Sequence, residues 1–238
     1  MSLAGKTVVV LGGSSGIGLA TAKGALTEGA RVAITGRSQE RLDAAKRELG
    51  PDVVAVPLDV ADEGGTRTLF ERLERIDHVF ITAGAISFGR GLAPETTALR
   101  PALDTRFWGA LYAAKYAAPK MERGGSITLM SGTAAVRPLP GASVATASCG
   151  AVEAFARALA LDLAPIRVNA IQPGLIDTPL IGELMGDRRE AMIAQEAARL
   201  PVRRVGKPED VADAVLFLMK NGYVTGITLT IDGGRLLL

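Results

Sequence analysis

Cysteine, histidine and tryptophan each occur once in the 238 residues, and aromatic residues make up only 4% of them. The single cysteine, Cys149, excludes a disulfide within the chain. One cysteine and one histidine, His78, cannot build the usual clustered zinc site, so no metal is expected. No apolar stretch is long enough to cross a bilayer without interruption. Met1 to Lys6 lead straight into a strand-like run, without the charged and apolar regions of an export signal. These absences together lead us to expect a cytoplasmic protein with no membrane partner. There is also no block of like charge. The 27 basic and 25 acidic residues are interspersed and leave a net charge of +2. A basic stripe that tracks phosphates is lacking, so no nucleic-acid partner is expected.

What is present is enough apolar surface for a core, 48% of residues. Short β-branched runs alternate with longer helical patterns. The expected strands are Thr7–Leu11, Arg31–Thr35, Val53–Pro57, His78–Thr82, Ser126–Met130, Arg167–Ile171 and Thr228–Ile231. Runs such as Val8-Val9-Val10-Leu11 read as strands covered on both faces. Helices are expected over Gly18–Glu28, Gln39–Leu49, a segment after Asp62, Ala98–Met121, Ala142–Leu163 and Pro208–Lys220. The alternation predicts one α/β domain over 1–238, a doubly wound parallel sheet of the Rossmann type. Residues 175–200 interrupt it and read either as a surface helix pair or as a substrate lid.

The first strand ends in Gly12-Gly13-Ser14-Ser15-Gly16-Ile17-Gly18 and opens into a helix. Small residues there let backbone approach a pyrophosphate, and the helix N-terminus supplies N–H groups and partial positive charge. The second strand ends in Gly36-Arg37, where an acid would favour the ribose 2′-hydroxyl of NAD. A guanidinium matches a 2′-phosphate instead, so the expected cofactor is NADP(H).

The spacing Gly12-x-x-x-Gly16-x-Gly18 resembles the turn of the short-chain dehydrogenase/reductase family, with Leu11 where the family usually has Thr. Leu58-Asp59-Val60, Thr82-Ala83-Gly84, Pro173-Gly174-Leu175-Ile176-Asp177-Thr178, Arg203 to Val211 and Ile231-Asp232-Gly233-Gly234 extend the resemblance along the chain. It implies seven strands in the order 3-2-1-4-5-6-7. It also implies that Asp59 and Val60 meet the adenine and that Ala83, Gly84, Pro173, Gly174, Ile176 and Thr178 meet the rest of the dinucleotide. Together with Gly12, Ser14, Ser15, Gly16, Ile17, Gly18 and Arg37 they form the expected cofactor set.

The family's chemistry rests on a Tyr that passes a proton, a Lys four residues later, a Ser on the fifth strand and an Asn on the preceding helix. The resemblance puts the Ser at Ser131, the one catalytic residue expected. It puts the Tyr position at Ala145, the Lys position at Cys149 and the Asn position at Arg106. Tyr116 and Lys120 also spell Tyr-x-x-x-Lys, but Pro119 ends their helix and they are expected to pack elsewhere. Arg106 has two readings: a group that meets a carboxylate or phosphate on a ligand, or fills the missing Lys space, and a structural salt bridge. The expected function is an NADP(H)-binding oxidoreductase with weak or altered activity. The alternative is a non-catalytic NADP(H)-binding or sensing protein, and whether the chain is an enzyme stays open. Leu139, Val144, Leu180, Leu184 and Met185 suggest an apolar small-molecule ligand. Small residues in Ala110–Ala118 and Ala151–Ala160, with the apolar tail Leu236–Leu238, suggest a homotetramer or homodimer.

Overall fold

A computed structural model describes residues 2–84 and 92–238. In chain order the elements are β1 (Thr7–Leu11), α1 (Gly16–Thr27), β2 (Arg31–Gly36), α2 (Gln39–Leu49), β3 (Val54–Pro57), α3 (Glu63–Glu71) and β4 (Ile76–Ile81). There follow α4 (Thr96–Leu99), α5 (Pro101–Leu103), a π-helical segment (Asp104–Trp108), α6 (Gly109–Ala117) and β5 (Met121–Met130). The chain continues with α7 (Ser143–Asp162), β6 (Arg167–Pro173), α8 (Pro179–Met185), α9 (Arg189–Arg199), α10 (Pro208–Lys220) and β7 (Thr228–Ile231). All strands pair in parallel, in the order β3-β2-β1-β4-β5-β6-β7. The order reverses at β1, which opens a crevice between β1 and β4 at the carboxyl edge of the sheet.

Alternation along each strand divides the core in two. Val9, Leu11, Val79, Ile81, Ile127 and Leu129 face α3, α6 and α7. Val8, Val10, Ile34, Phe80, Met130 and Ile171 face α1, α2 and α10. The small residues of α6, Ala110, Ala113, Ala114 and Ala117, are spent inside the first of these cores. Alanine lets that helix lie close on the sheet, so its smallness serves the chain's own packing. By length and composition alone α7 is the one helix among the described residues that could span a bilayer, although Glu153 and Arg157 interrupt its apolar run. It packs on β6 and buries Val152, Ala156 and Leu159 there.

Most boundaries fall within two residues of the sequence reading, and two features differ by more. The expected helix Ala98–Met121 is broken into α4, α5, the π-helical segment and α6. Pro101 takes a first-turn position, where its missing N–H costs nothing, and Pro119 lies in a short 3-10 turn that ends the run. β5 also starts earlier than expected, because Met121 pairs with Ile76 ahead of a register shift before His78. Residues 175–200 form α8 and α9. Both carboxylate oxygens of Asp177 accept from Arg189 Nη2, at 2.6 and 2.8 Å, which ties the start of α9 to the segment after β6.

Candidate active site

Backbone geometry creates the first part of the site. Gly12 has φ +94° and Gly16 φ +53°, both in the left-handed region that favours glycine. A Cβ at Gly18 would lie 2.1 Å from the Gly12 carbonyl oxygen, and one at Gly12 would lie 2.8 Å from the Ala83 nitrogen. The turn is therefore a cradle that only glycine closes, drawn tight between α1 and the end of β4. The Gly12 and Gly13 amides both donate to the Thr35 carbonyl, which fixes the turn against β2. α1 begins at Gly16 with no side chain capping its first amides, so those donors remain for a ligand.

A cleft of about 430 Å³ opens above this turn. Of the sequence-expected residues, Gly12, Ser14, Ser15, Gly16, Ile17, Arg37, Asp59 and Val60 line its β1–β2 side. Ala83, Gly84, Ser131, Pro173, Gly174, Ile176 and Thr178 line the side beyond β4. Gly18 does not line it; it lies behind the turn and lets the turn form. Thr178 crosses over the loop, its Cγ2 3.3 Å from where a Gly16 Cβ would be. Arg37 is exposed at the end of β2, and no carboxylate among the described residues pairs with it. The Asp232 turn buttresses the far side. Gly174 donates to the Ile231 carbonyl at 2.9 Å, and the Asp232 carboxylate accepts from the Gly234 and Leu236 amides.

At the end of β5 the side chains take unexpected directions. Ser131 is buried, and its Oγ donates to Glu153 Oε1 at 2.6 Å. Gln172 Nε2 donates to the same oxygen at 2.7 Å, and Thr230 Oγ1 donates to Gln172 Oε1 at 2.9 Å. The serine proton is thus engaged by a polar chain joining β5, α7, β6 and β7. Glu153 was legible only as the residue one helical turn beyond Cys149, on the same face of α7. Gly132, Ala145 and Cys149 also line the cleft; a Cβ on Gly132 would lie 3.6 Å from the Cys149 Sγ.

Arg106 enters from the π-helical segment. Its Nη1 donates to the Met130 carbonyl at 3.0 Å and the Ser131 carbonyl at 3.2 Å. The structural salt bridge considered above is not formed: among the described residues no carboxylate pairs with Arg106. Tyr116 lies away from the cleft, its hydroxyl donating to Glu63 at 2.8 Å. Of the expected apolar residues, Leu139 and Leu180 line the cleft, and Val144, Leu184 and Met185 do not. Arg41, Arg137, Glu183 and Arg235 do, although no sequence signal singled them out.

A family model described as enoyl-(acyl carrier protein) reductase matches residues 12–235. The short-chain dehydrogenase/reductase malC of Malbranchea aurantiaca is 34% identical over 99% of this chain and 96% of its own length. This chain belongs to the short-chain dehydrogenase/reductase family. The human 3-oxoacyl-[acyl-carrier-protein] reductase is 34% identical over 96% of this chain and 97% of its own. Among solved structures, the MalC reductase/Diels–Alderase superposes with a TM-score of 0.93 at 33% identity, covering 99% of this chain and 98% of that one. A small-chain dehydrogenase in complex with NADPH superposes with a TM-score of 0.86 at 39% identity, covering 98% of this chain and all of that one.

Proposed function

We propose that this short-chain dehydrogenase/reductase binds NADP(H) and transfers hydride without a tyrosine proton donor. The observation that carries this reading is the glycine cradle at the α1 N-terminus beside an exposed Arg37, with no acid at the end of β2. The relative solved with NADPH supports the same cofactor. On this reading the amides of Gly12, Ser14, Ser15, Gly16 and Ile17 hold the pyrophosphate, and Arg37 takes the 2′-phosphate. Asp59 and Val60 meet the adenine, Ala83 and Gly84 the sugars, and Pro173, Gly174, Ile176 and Thr178 the nicotinamide end. The cofactor supplies the hydride.

The family's tyrosine and lysine positions fall at Ala145 and Cys149. Alanine has no proton to give, and cysteine carries no ammonium to hold a ribose or assist a phenol. A lost general acid costs about 100- to 10,000-fold in rate. Ser131 stands where a substrate oxygen would be polarised, but its proton goes to Glu153, and polarisation requires that bond to open. Water then supplies the proton, and turnover is slow. The test is NADPH consumption with a panel of ketones and quinones, where slow oxidation is expected. Retained binding with no oxidation would favour the second reading, a non-catalytic NADP(H) sensor. That reading draws on the absence of phenol and ammonium groups among Gly132, Ala145 and Cys149.

We also propose a cytoplasmic homotetramer, with a dimer as the alternative. Trp108 is 43% and Leu161 82% exposed on the helices that flank the cleft, which supports self-association. A monomeric mass in light scattering would contradict it.

A further inference from the structure

Among the described residues five arginines line the cleft: Arg37, Arg41, Arg106, Arg137 and Arg235. Three have partners of their own. Arg41 pairs with Glu183, Arg235 with Glu196, and Arg137 donates to the carbonyls of Arg235 and Leu238. Arg37 is taken by the 2′-phosphate of the proposed cofactor. Arg106 is different. It is only 8% exposed, so its charge is largely withdrawn from water.

Its guanidinium is anchored on one side and, among the described residues, without a hydrogen-bond partner on the other. Nη1 is held by the Met130 and Ser131 carbonyls, which fixes the plane of the group. Nε is buried with no hydrogen-bond partner, and Nη2 donates to none of the described residues. Nε and Nη2 form the fork that binds a carboxylate side-on. The guanidinium packs on Gly84, where a Cβ would lie 3.2 Å from Nη2. Residues 85–91, Ala-Ile-Ser-Phe-Gly-Arg-Gly, contain no acid that could pair with it. A buried cation without a counter-ion is costly, and the cost is relieved when an anion arrives.

The proposed cofactor does not bring that anion. Its phosphates sit over the β1–α1 turn and the end of β2, whereas Arg106 lies at the ends of β4 and β5. We infer that Arg106 receives the carboxylate of a second ligand, an organic acid with an apolar body, that shares the cleft with the dinucleotide. This deepens the proposed function and rests on its cofactor placement. The apolar body fits the walls formed by Leu139, Ala142, Ala145 and Leu180. Closure of ligand over the site excludes water and strengthens the fork's charge-assisted bonds.

Calorimetric titration of hexanoate and of hexanamide tests this, each with and without saturating NADPH, in the wild type, Arg106→Met and Arg106→Lys. The wild type should bind the acid at least about tenfold more tightly than the amide. Arg106→Met should erase that preference, and Arg106→Lys, which keeps charge but not the fork, should retain part of it. NADPH affinity should change less than about threefold in both variants. Equal affinity for acid and amide in the wild type, including no binding of either at about 10 mM, would overturn the inference. So would a loss of NADPH affinity in Arg106→Met as large as in Arg37→Ala, which would make Arg106 a cofactor group. Failure of the wild type to bind NADPH would instead sink the proposed function, and the cofactor-free titrations would still decide the role of Arg106. If Arg106→Met does not fold, the acid-to-amide ratio in the wild type and Arg106→Lys decides.

Discussion

The two ends of the cleft are built on different principles. Over β1 and β2 the site is backbone: glycines at positive φ, helix amides without a side-chain cap, and the exposed Arg37 at the rim. Over β5 and α7 it is side chain, and there the polar groups face inward. Ser131 is bonded to Glu153, Glu153 to Gln172, and Gly132, Ala145 and Cys149 line the cleft beside them. A backbone cradle changes only if its glycines change, because a Cβ at Gly18 meets a carbonyl oxygen at 2.1 Å. A side-chain constellation is lost by single substitutions that leave the fold intact. The glycine end, where the proposed cofactor's phosphates would sit, is therefore held by steric necessity, and the β5 end is free to be rewritten.

The largest effect is expected from rebuilding the chemical end. Ala145→Tyr with Cys149→Lys should raise NADPH-dependent turnover about 100-fold or more, read as ketone-dependent loss of absorbance. No gain, in a variant that still binds NADPH, would mean that the β5 end is not a degraded catalytic site at all.

A second prediction separates the sheet from both ends of the cleft. Burial, followed by the positive charge of Arg167, lowers the His78 imidazole from 6.5 to about 4. Its Nδ1 lies 2.9 Å from Ser126 Oγ, between β4 and β5. As pH falls below 6.5 the unfolded chain takes up a proton that the folded chain refuses until about pH 4. Stability from this group is complete above that window and is lost across it, on the order of 3 kcal/mol. Denaturant titrations at pH 7 and pH 4.5 should show most of that loss, and His78→Gln should flatten it. An unchanged slope in His78→Gln would assign the acid sensitivity to other groups.

A smaller effect is expected from Glu153→Ala, which strands the Gln172 amide and leaves the Ser131 hydroxyl only the Cys149 carbonyl, at 3.3 Å. It should cost about 1–3 kcal/mol in denaturant unfolding while leaving NADPH affinity unchanged. A loss of NADPH affinity equal to the loss of stability would show that the two ends are coupled, and the contrast drawn here would fail.

The difference between the ends also explains what could be read from residues alone. The strands and the glycine turn follow from local pattern: β-branched runs set the sheet, and Gly12, Gly16 and Gly18 mark backbone that no other residue fits; the order of the strands followed from the family resemblance. Arg37 stood out in the sequence because a guanidinium at the end of the second strand matches a 2′-phosphate, and it lies exposed at the rim of the cleft. The direction of the Ser131 hydroxyl was not, because it depends on Glu153 and Gln172, which lie 22 and 41 residues away and meet it only in three dimensions. Nor was the state of Arg106. The sequence shows a cation there, and only the fold shows that among the described residues no carboxylate pairs with it. The break-up of the helix before β5 depended on Pro101 and Pro119, whose effect on the intervening π-helical turn has no local signature.

The central claim, a phosphate grip kept intact with Arg37 as its selector, is tested most directly by calorimetric titration of NADPH and NADH into the wild type and Arg37→Ala. We expect the wild type to bind NADPH at least about tenfold more tightly than NADH, and Arg37→Ala to lose that preference while its NADH affinity is unchanged. Equal binding of the two cofactors by the wild type, or binding of neither, would contradict the account.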